Sequence, residues 1–183
     1  MATIRKGMGP NNSGQALVEL AMIVPVLAVL VFGIIDFGRA LYYVEVIKNL
    51  TGEGSSMSSR GTSLPLTVQT VVSDAGSDLQ LATLGCVIAT SVTNTGAQKN
   101  PMQVTGQSTQ GACTGISSKI GCYPPPSTCG NASLPSEAAA ALQVNQSLYI
   151  TEIFYTYSTV TPLGTLLKNA NVLPTTLYDV AYY

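Results

Sequence analysis

Ser13 to Tyr43 reads SGQALVELAMIVPVLAVLVFGIIDFGRALYY, and the fold turns on how this stretch is read. From Ala16 to Ile35 it carries a single charge, Glu19. A helix of that length is about 30 Å long, which is the thickness of a bilayer's hydrocarbon core. Arg5 and Lys6 precede the run and no acid does, so the positive-inside rule expects a cytoplasmic N-terminus and an exported remainder. Pro25 removes one backbone donor within the run and is expected to kink the helix slightly, which membrane helices tolerate. A discarded secretory signal would have a shorter apolar core followed by a small-x-small cleavage site. Here DFGRALYYVEVIKNL follows instead, with Phe37, Leu41, Val44 and Ile47 recurring at spacings of four and three. That is a helical period, so the helix is expected to continue past the membrane to about Ser59. Gly52, Gly54 and the Ser-rich GSSMSSRG weaken its last turns, and Gly61 is a plausible stop.

Composition narrows the function classes. The chain has 183 residues, 46% of them hydrophobic and only 9% charged, a bias that comes largely from this one segment. The net charge is −1 and no basic cluster of the kind that grips nucleic acid is present. Histidine is absent, which removes the commonest general base and the commonest metal ligand. The acids are scattered and form no evident catalytic pair. Composition therefore argues against an enzyme, and no cofactor or metal is expected.

A short basic leader ends at Gly14, four residues follow, and then comes Glu19 at the head of the hydrophobic helix. This resembles the class 3 signal of type IV prepilins, which a prepilin peptidase cuts on the cytoplasmic side between glycine and the next residue, here Gly14 and Gln15. More narrowly, the stretch is similar to the opening of the TadE-like pseudopilins of tight-adherence (Flp) pilus systems. The residues that carry the likeness are Val18, Glu19, Ala21, Pro25, Gly33, Ile34, Ile35, Asp36, Phe37, Gly38 and Arg39. Leu20 stands where that family often has an aromatic residue. The resemblance implies a leader over 1–14, a pilin-like helix over 15–61 with its membrane span at about 16–35, and an exterior β-rich domain over 62–183. It also implies a prepilin peptidase, other pilin or pseudopilin subunits and an inner-membrane assembly platform as partners.

Glu19 then has a physical role. Cleavage after Gly14 frees an amine at Gln15, and in a filament whose helices pack centrally that amine needs a counter-charge. A carboxylate about one turn into the helix reaches its own N-terminus poorly and a neighbour's well. An apolar surrounding makes such a pair a device for register more than for stability. The milder alternative is an interfacial acid favoured by the helix macrodipole and paired with nothing.

From Thr62 onward Ser, Thr, Gly, Asn and Pro alternate with short apolar runs, the look of an exported β-rich domain. A short helix is expected to start at Pro65 within LPLTVQTVVSDAGSDL. Cys86 to Val92 reads as a strand and Met102 to Ser108 as its hairpin partner. Residues 109–135, dense in Gly, Pro, Ser and Cys, read as a loop, and Ser136 to Leu142 as a helical turn or a connector. Ser147 to Val160 is the strongest strand signal, rich in β-branched and aromatic residues and apolar on both faces, so it is expected at the centre of a sheet. Pro162 ends it, and TTLYDVAYY closes the chain as a last strand. A Tyr-containing strand, a turn, a short helical linker and a final strand also resemble, more loosely, the end of TadE-like proteins.

The four cysteines are Cys86, Cys113, Cys122 and Cys129. An even count in a small exported domain favours disulfides, and the lack of histidine and of a Cys-x2-Cys pair argues against zinc. If the first two strands pair, Cys86 lies at the open end of the hairpin close to Cys113, leaving Cys122 for Cys129.

The expected architecture is α+β: a long N-terminal hydrophobic, pilin-like helix followed by a small exterior domain with an antiparallel sheet. The expected function is that of a minor pilin or pseudopilin, single-pass in the bacterial inner membrane, with its C-terminal domain in the periplasm or carried on an extracellular pilus. Two alternatives stay open at this stage: a principal filament subunit, or a membrane-anchored exported adhesin domain that never polymerises.

Overall fold

Helix α1 (Ser13–Ser59) is continuous through Pro25 and changes character along its length. The computed structural model describes residues 13–123, 129–170 and 175–183. The expected leader lies outside these residues except for its last two positions, and so do residues 124–128 of the expected loop. The chain divides into two units, one formed by Met1–Gly38 with Thr159–Leu173 and the other by Arg39–Ser158 with Pro174–Tyr183.

In the second unit α1 buries a stripe made of Ala40, Tyr43, Ile47, Leu50, Thr51, Ser55 and Ser58. These positions recur every three or four residues, the spacing of one helix face. The stripe lies one step round the helix from Phe37 and Leu41, both of which are exposed. Bulky apolar residues mark the helical period in the sequence, but small and hydroxyl-bearing ones form much of the buried face. Gly54 shows why. A methyl there would stand 2.9 Å from Thr151 Oγ1 and 3.0 Å from Val71 Cγ2, so only glycine lets the helix lie this close to its neighbours.

The stripe covers one face of a four-stranded antiparallel sheet built from β1 (Gly85–Asn94), β2 (Met102–Gly111), β3 (Ser147–Thr156) and β4 (Thr176–Tyr182), in the order β2-β1-β3-β4. Residues alternate between the two faces, as the pleat requires. Val87, Ala89, Ile153, Tyr155 and Leu177 join the helix-side core with Ile47, Leu79 and Leu81. Helix α2 (Leu64–Asp74), with a proline at its start, adds Val68 and Val71. Two single turns, α3 (Gly76–Leu79) and α4 (Leu81–Leu84), lead from it into β1. Gln80 takes left-handed backbone between them (φ 48°), which reverses the chain and turns both leucines inward. Burying each such aliphatic side chain contributes about 1.5–3 kcal/mol.

The opposite face is covered by the segment after β2 rather than by a helix. Cys86, Ile88 and Phe154 pack with Cys113, and Val92, Val104 and Ile150 pack with Ile120. Both central strands are therefore buried on both sides, which is why Ser147–Thr156 reads as apolar on both faces. The β1–β2 pairing extends to Cys86 opposite Gly111, so β2 runs three residues into the stretch expected to be loop. A bulge between Ser91 and Val92 adjusts its register. β3 stops at Thr156, short of Pro162, and Pro162 opens a helix instead of closing the strand. Helix α5 (Ser136–Ala141) is a single exposed turn and buries nothing. The first unit holds the start of α1 and helix α6 (Pro162–Asn169).

Candidate membrane and assembly segment

From Gly14 to Ile35 the large apolar side chains of α1 are exposed, from 39% at Phe32 to over 70% at Met22 and Ile34, and only Ala28 and Gly33 are half-buried. Among the described residues the cover on this stretch is Leu163 beside Gly33, and the large apolar side chains stay open around it. An exposed apolar surface of this extent is stable only against lipid or other protein helices. Among the described residues, this is one helix long and apolar enough to cross a membrane.

Gly14 lies in the first turn, and nothing stands within 4 Å of the place a Cβ would take. Its backbone is thus open on the side where a side chain would project. The Gln15 side-chain amide donates to Glu19 Oε1 at 3.2 Å, one turn on, and both residues are exposed. Among the described residues no cation pairs with Glu19; the salt bridge formed there is Lys48 to Glu45 at 3.3 Å. The carboxylate sits towards the positive end of the helix dipole, and among the described residues its second oxygen has no hydrogen-bond partner.

Asp36, which enters the sequence analysis only as a signature residue, has a defined task. It is completely buried. Its carboxylate accepts hydrogen bonds from the backbone N–H groups of Val160 and Thr161, each at 3.2 Å, and from the Thr161 hydroxyl. Thr161 is also the N-cap of α6, its side chain accepting from the Gly164 N–H. The aspartate thereby fixes the start of α6 to the last turn of the apolar run. Gly164 is required by the closeness of this join, because a methyl there would lie 2.3 Å from Asp36 Oδ2 and 2.4 Å from Thr159 Cβ. The signal available in the sequence was the placement of an acid directly at the end of the charge-free run from Leu20 to Ile35.

In the other unit Arg39 donates to the Tyr43 hydroxyl and lies over that ring, 5.3 Å from its centre. Tyr43 in turn stands edge-on to Tyr155 and Tyr157, with centroids 5.6 Å and 6.0 Å away. Three hydroxyls of α1 then tie it to its surroundings. Thr51 donates to Asp179, Ser55 donates to the Ala181 carbonyl at 2.9 Å and accepts from the Thr151 N–H at 3.0 Å, and Ser58 pairs with Thr67.

Cys86 is bonded to Cys113 and Cys122 to Cys129. The first bridge closes the end of the β1–β2 hairpin, and the second sits against Val92 and Ile120. Between them lies a carboxylate that sequence reasoning missed. Glu152, at the middle of β3 and fully buried, accepts from the Ser118 hydroxyl, the Lys119 N–H at 2.9 Å and the Tyr178 hydroxyl at 3.1 Å. Lys119 Nζ stands over the Tyr178 ring, 3.4 Å from its centre. Burial, reinforced by the neighbouring Glu152 carboxylate, pushes the Tyr178 hydroxyl above its usual range. This cluster seats the disulfide-bearing segment on the sheet. Among the described residues, no group of three or more His, Cys, Asp or Glu side chains is placed to hold a metal ion.

Neither a curated protein nor a solved structure matches the chain. The more loosely TadE-like C-terminal end is not part of the segment that a family match covers. That segment is residues 14–55, running from the glycine before the apolar helix to the serine that contacts β4, and it matches the family described as TadE-like protein.

Proposed function

We propose that the chain is a membrane-inserted minor pilin or pseudopilin that enters or initiates a tight-adherence pilus after a prepilin peptidase removes residues 1–14. The observation that carries this reading is the family match, which begins at Gly14 itself and spans the helix whose large apolar side chains are exposed. An exposed helix of this kind suits two successive environments. Before assembly it is solvated by lipid, and after assembly by the helices of neighbouring subunits. The prepilin peptidase, the other subunits and an inner-membrane platform are the partners this requires, with the second unit on the far side of the membrane from the leader.

Glu19 acts in the second environment. Its carboxylate meets the amine that cleavage creates on the Gln15 of a neighbour. Breaking a buried ion pair by removing one partner costs about 3–5 kcal/mol, so a subunit inserted out of register is rejected. Glycine at position 14 lets the peptidase approach the backbone at the bond it cuts.

N-terminal sequencing of the membrane-extracted protein, combined with two variants, tests the reading. The wild-type sequence should begin at Gln15, and Gly14→Val should leave the full precursor in the membrane. Glu19→Ala should be processed and membrane-resident, because it removes a charge from an apolar helix, yet should fail to support piliation. An uncut wild-type N-terminus points instead to a signal-anchored exported domain. Normal piliation with Glu19→Ala ends the charge-pairing account.

A further inference from the structure

We propose that the segment from Val160 through α6 is an interfacial element that lies in the headgroup layer of the bilayer, next to the point where α1 leaves it. The proposal rests on reading the apolar part of α1 as a membrane span.

Three features of the first unit support it. The Asp36 clamp fixes residues 160 and 161 to the helix position at which the charge-free run ends. Leu163 then reaches one turn deeper: its Cδ2 lies 4.0 Å from the place a Gly33 Cβ would occupy, and it lines a shallow apolar groove with Val29, Leu30, Ile34 and Phe37. At 1.5 Å of rise per residue, Gly33 is about 4.5 Å further into the span than Asp36. A helix held at this depth beside a membrane span falls where interfacial helices bury their apolar faces, about 5–10 Å into the boundary between headgroups and acyl chains.

The second feature is the surface α6 leaves open. Val160 is 59% exposed and Leu166 is 66% exposed. In water they would extend an already large apolar patch on α1, whereas in the interface they are solvated by lipid. The third is charge. Lys168 lies in the last turn of α6, and its flexible stem can lie along apolar surface while its ammonium reaches lipid phosphates. Thr165 and Asn169 supply exposed polar positions for the aqueous side.

The test uses the full chain reconstituted into phosphatidylcholine–phosphatidylglycerol vesicles. A single added cysteine carries an environment-sensitive fluorophore, at position 166 in one protein and at position 27 in another. The four native cysteines are paired and do not take the label. Lipids spin-labelled near the headgroup should quench most of the emission at position 166, and iodide in the water should quench little of it. Lipids labelled deep in the acyl chain should quench position 27. If position 27 is quenched by lipid while position 166 responds only to iodide, the interfacial proposal is overturned and the membrane span stands. If no lipid label reaches position 27, the span reading fails and takes the proposal with it. If position 166 is shielded from both quenchers only at high protein density, a second copy covers it and the lipid proposal is overturned.

Discussion

Replacing Glu152 by alanine tests whether one buried carboxylate holds the disulfide-bearing segment on the sheet. The side chain has three donors: the Ser118 hydroxyl, the Lys119 N–H and the Tyr178 hydroxyl. Alanine removes the acceptor for all three. Tyr178 is half-buried, so water recovers part of the loss at its hydroxyl. Hydrogen bonds to a charged group are worth about 1.5–3 kcal/mol each, and a buried donor left alone costs about 1–3 kcal/mol. Allowing for that recovery, Glu152→Ala should destabilise the protein by about 2–4 kcal/mol. Glu152→Gln keeps an acceptor towards Lys119 and Tyr178 and spoils only the contact with Ser118, so it should cost about 1–2 kcal/mol. Urea titration of the full chain in detergent, followed by tyrosine near-ultraviolet dichroism, orders the three proteins. The midpoint should fall from wild type to glutamine to alanine with an unchanged slope. An alanine variant within about 0.5 kcal/mol of wild type, the ordinary range of a neutral surface change, would refute the anchoring argument. So would a glutamine variant no better than alanine.

Three further outcomes are expected. Gly164→Ala forces a methyl against Asp36 and Thr159 and should loosen the start of α6 by about 1–3 kcal/mol, read as faster proteolysis between residues 159 and 164. Replacing Cys86 and Cys113 together by alanine should cost about 2–5 kcal/mol, more than the Cys122/Cys129 pair, because the loops they close span 27 and 7 residues. Peptide mapping without reductant checks the linkages, and free thiols at all four positions would refute them. The Tyr178 hydroxyl titrates higher in the folded protein than its unfolded value of about 10. Its contribution is therefore complete below about pH 10 and is lost as the pH climbs from there towards the folded value. Tyr178→Phe should flatten the alkaline fall in urea midpoint, and an unchanged profile would show that other groups cause it.

Much of the fold was legible because bulk and periodicity announce it. Sixteen uncharged positions from Leu20 to Ile35, interrupted only by Pro25 and Gly33, leave few choices but a long helix, and the β-branched, aromatic run around Ile150 to Tyr155 has the composition of a doubly covered strand. What stayed hidden depends on contacts between segments far apart in the chain. Phe37 and Leu41 carry the helical period of α1 yet face outward, while Ser55 and Gly54, which look like helix-weakening residues, form the seam against the sheet. Polar residues in such a seam give no apolar pattern to read. Asp36 and Glu152 were hidden for the same reason: partners such as Val160 and Tyr178 lie 124 and 26 positions away, and nothing local marks an acid as buried. At the candidate site, Gly14 and Glu19 were visible only because they stand in a fixed spacing before the apolar run.

The hydroxyl seam of α1 also fixes when the second unit can be finished. Thr51 and Ser55 find their partners in Asp179 and Ala181, 128 and 126 residues later. Tyr183 continues the pairing past β4, exchanging backbone hydrogen bonds with Tyr149 in both directions. A chain emerging from its N-terminus thus carries an uncovered polar seam until Asp179 and Ala181 are free. Completion of this unit is a report that β4 has been delivered, and loss of that strand leaves the seam without its lock.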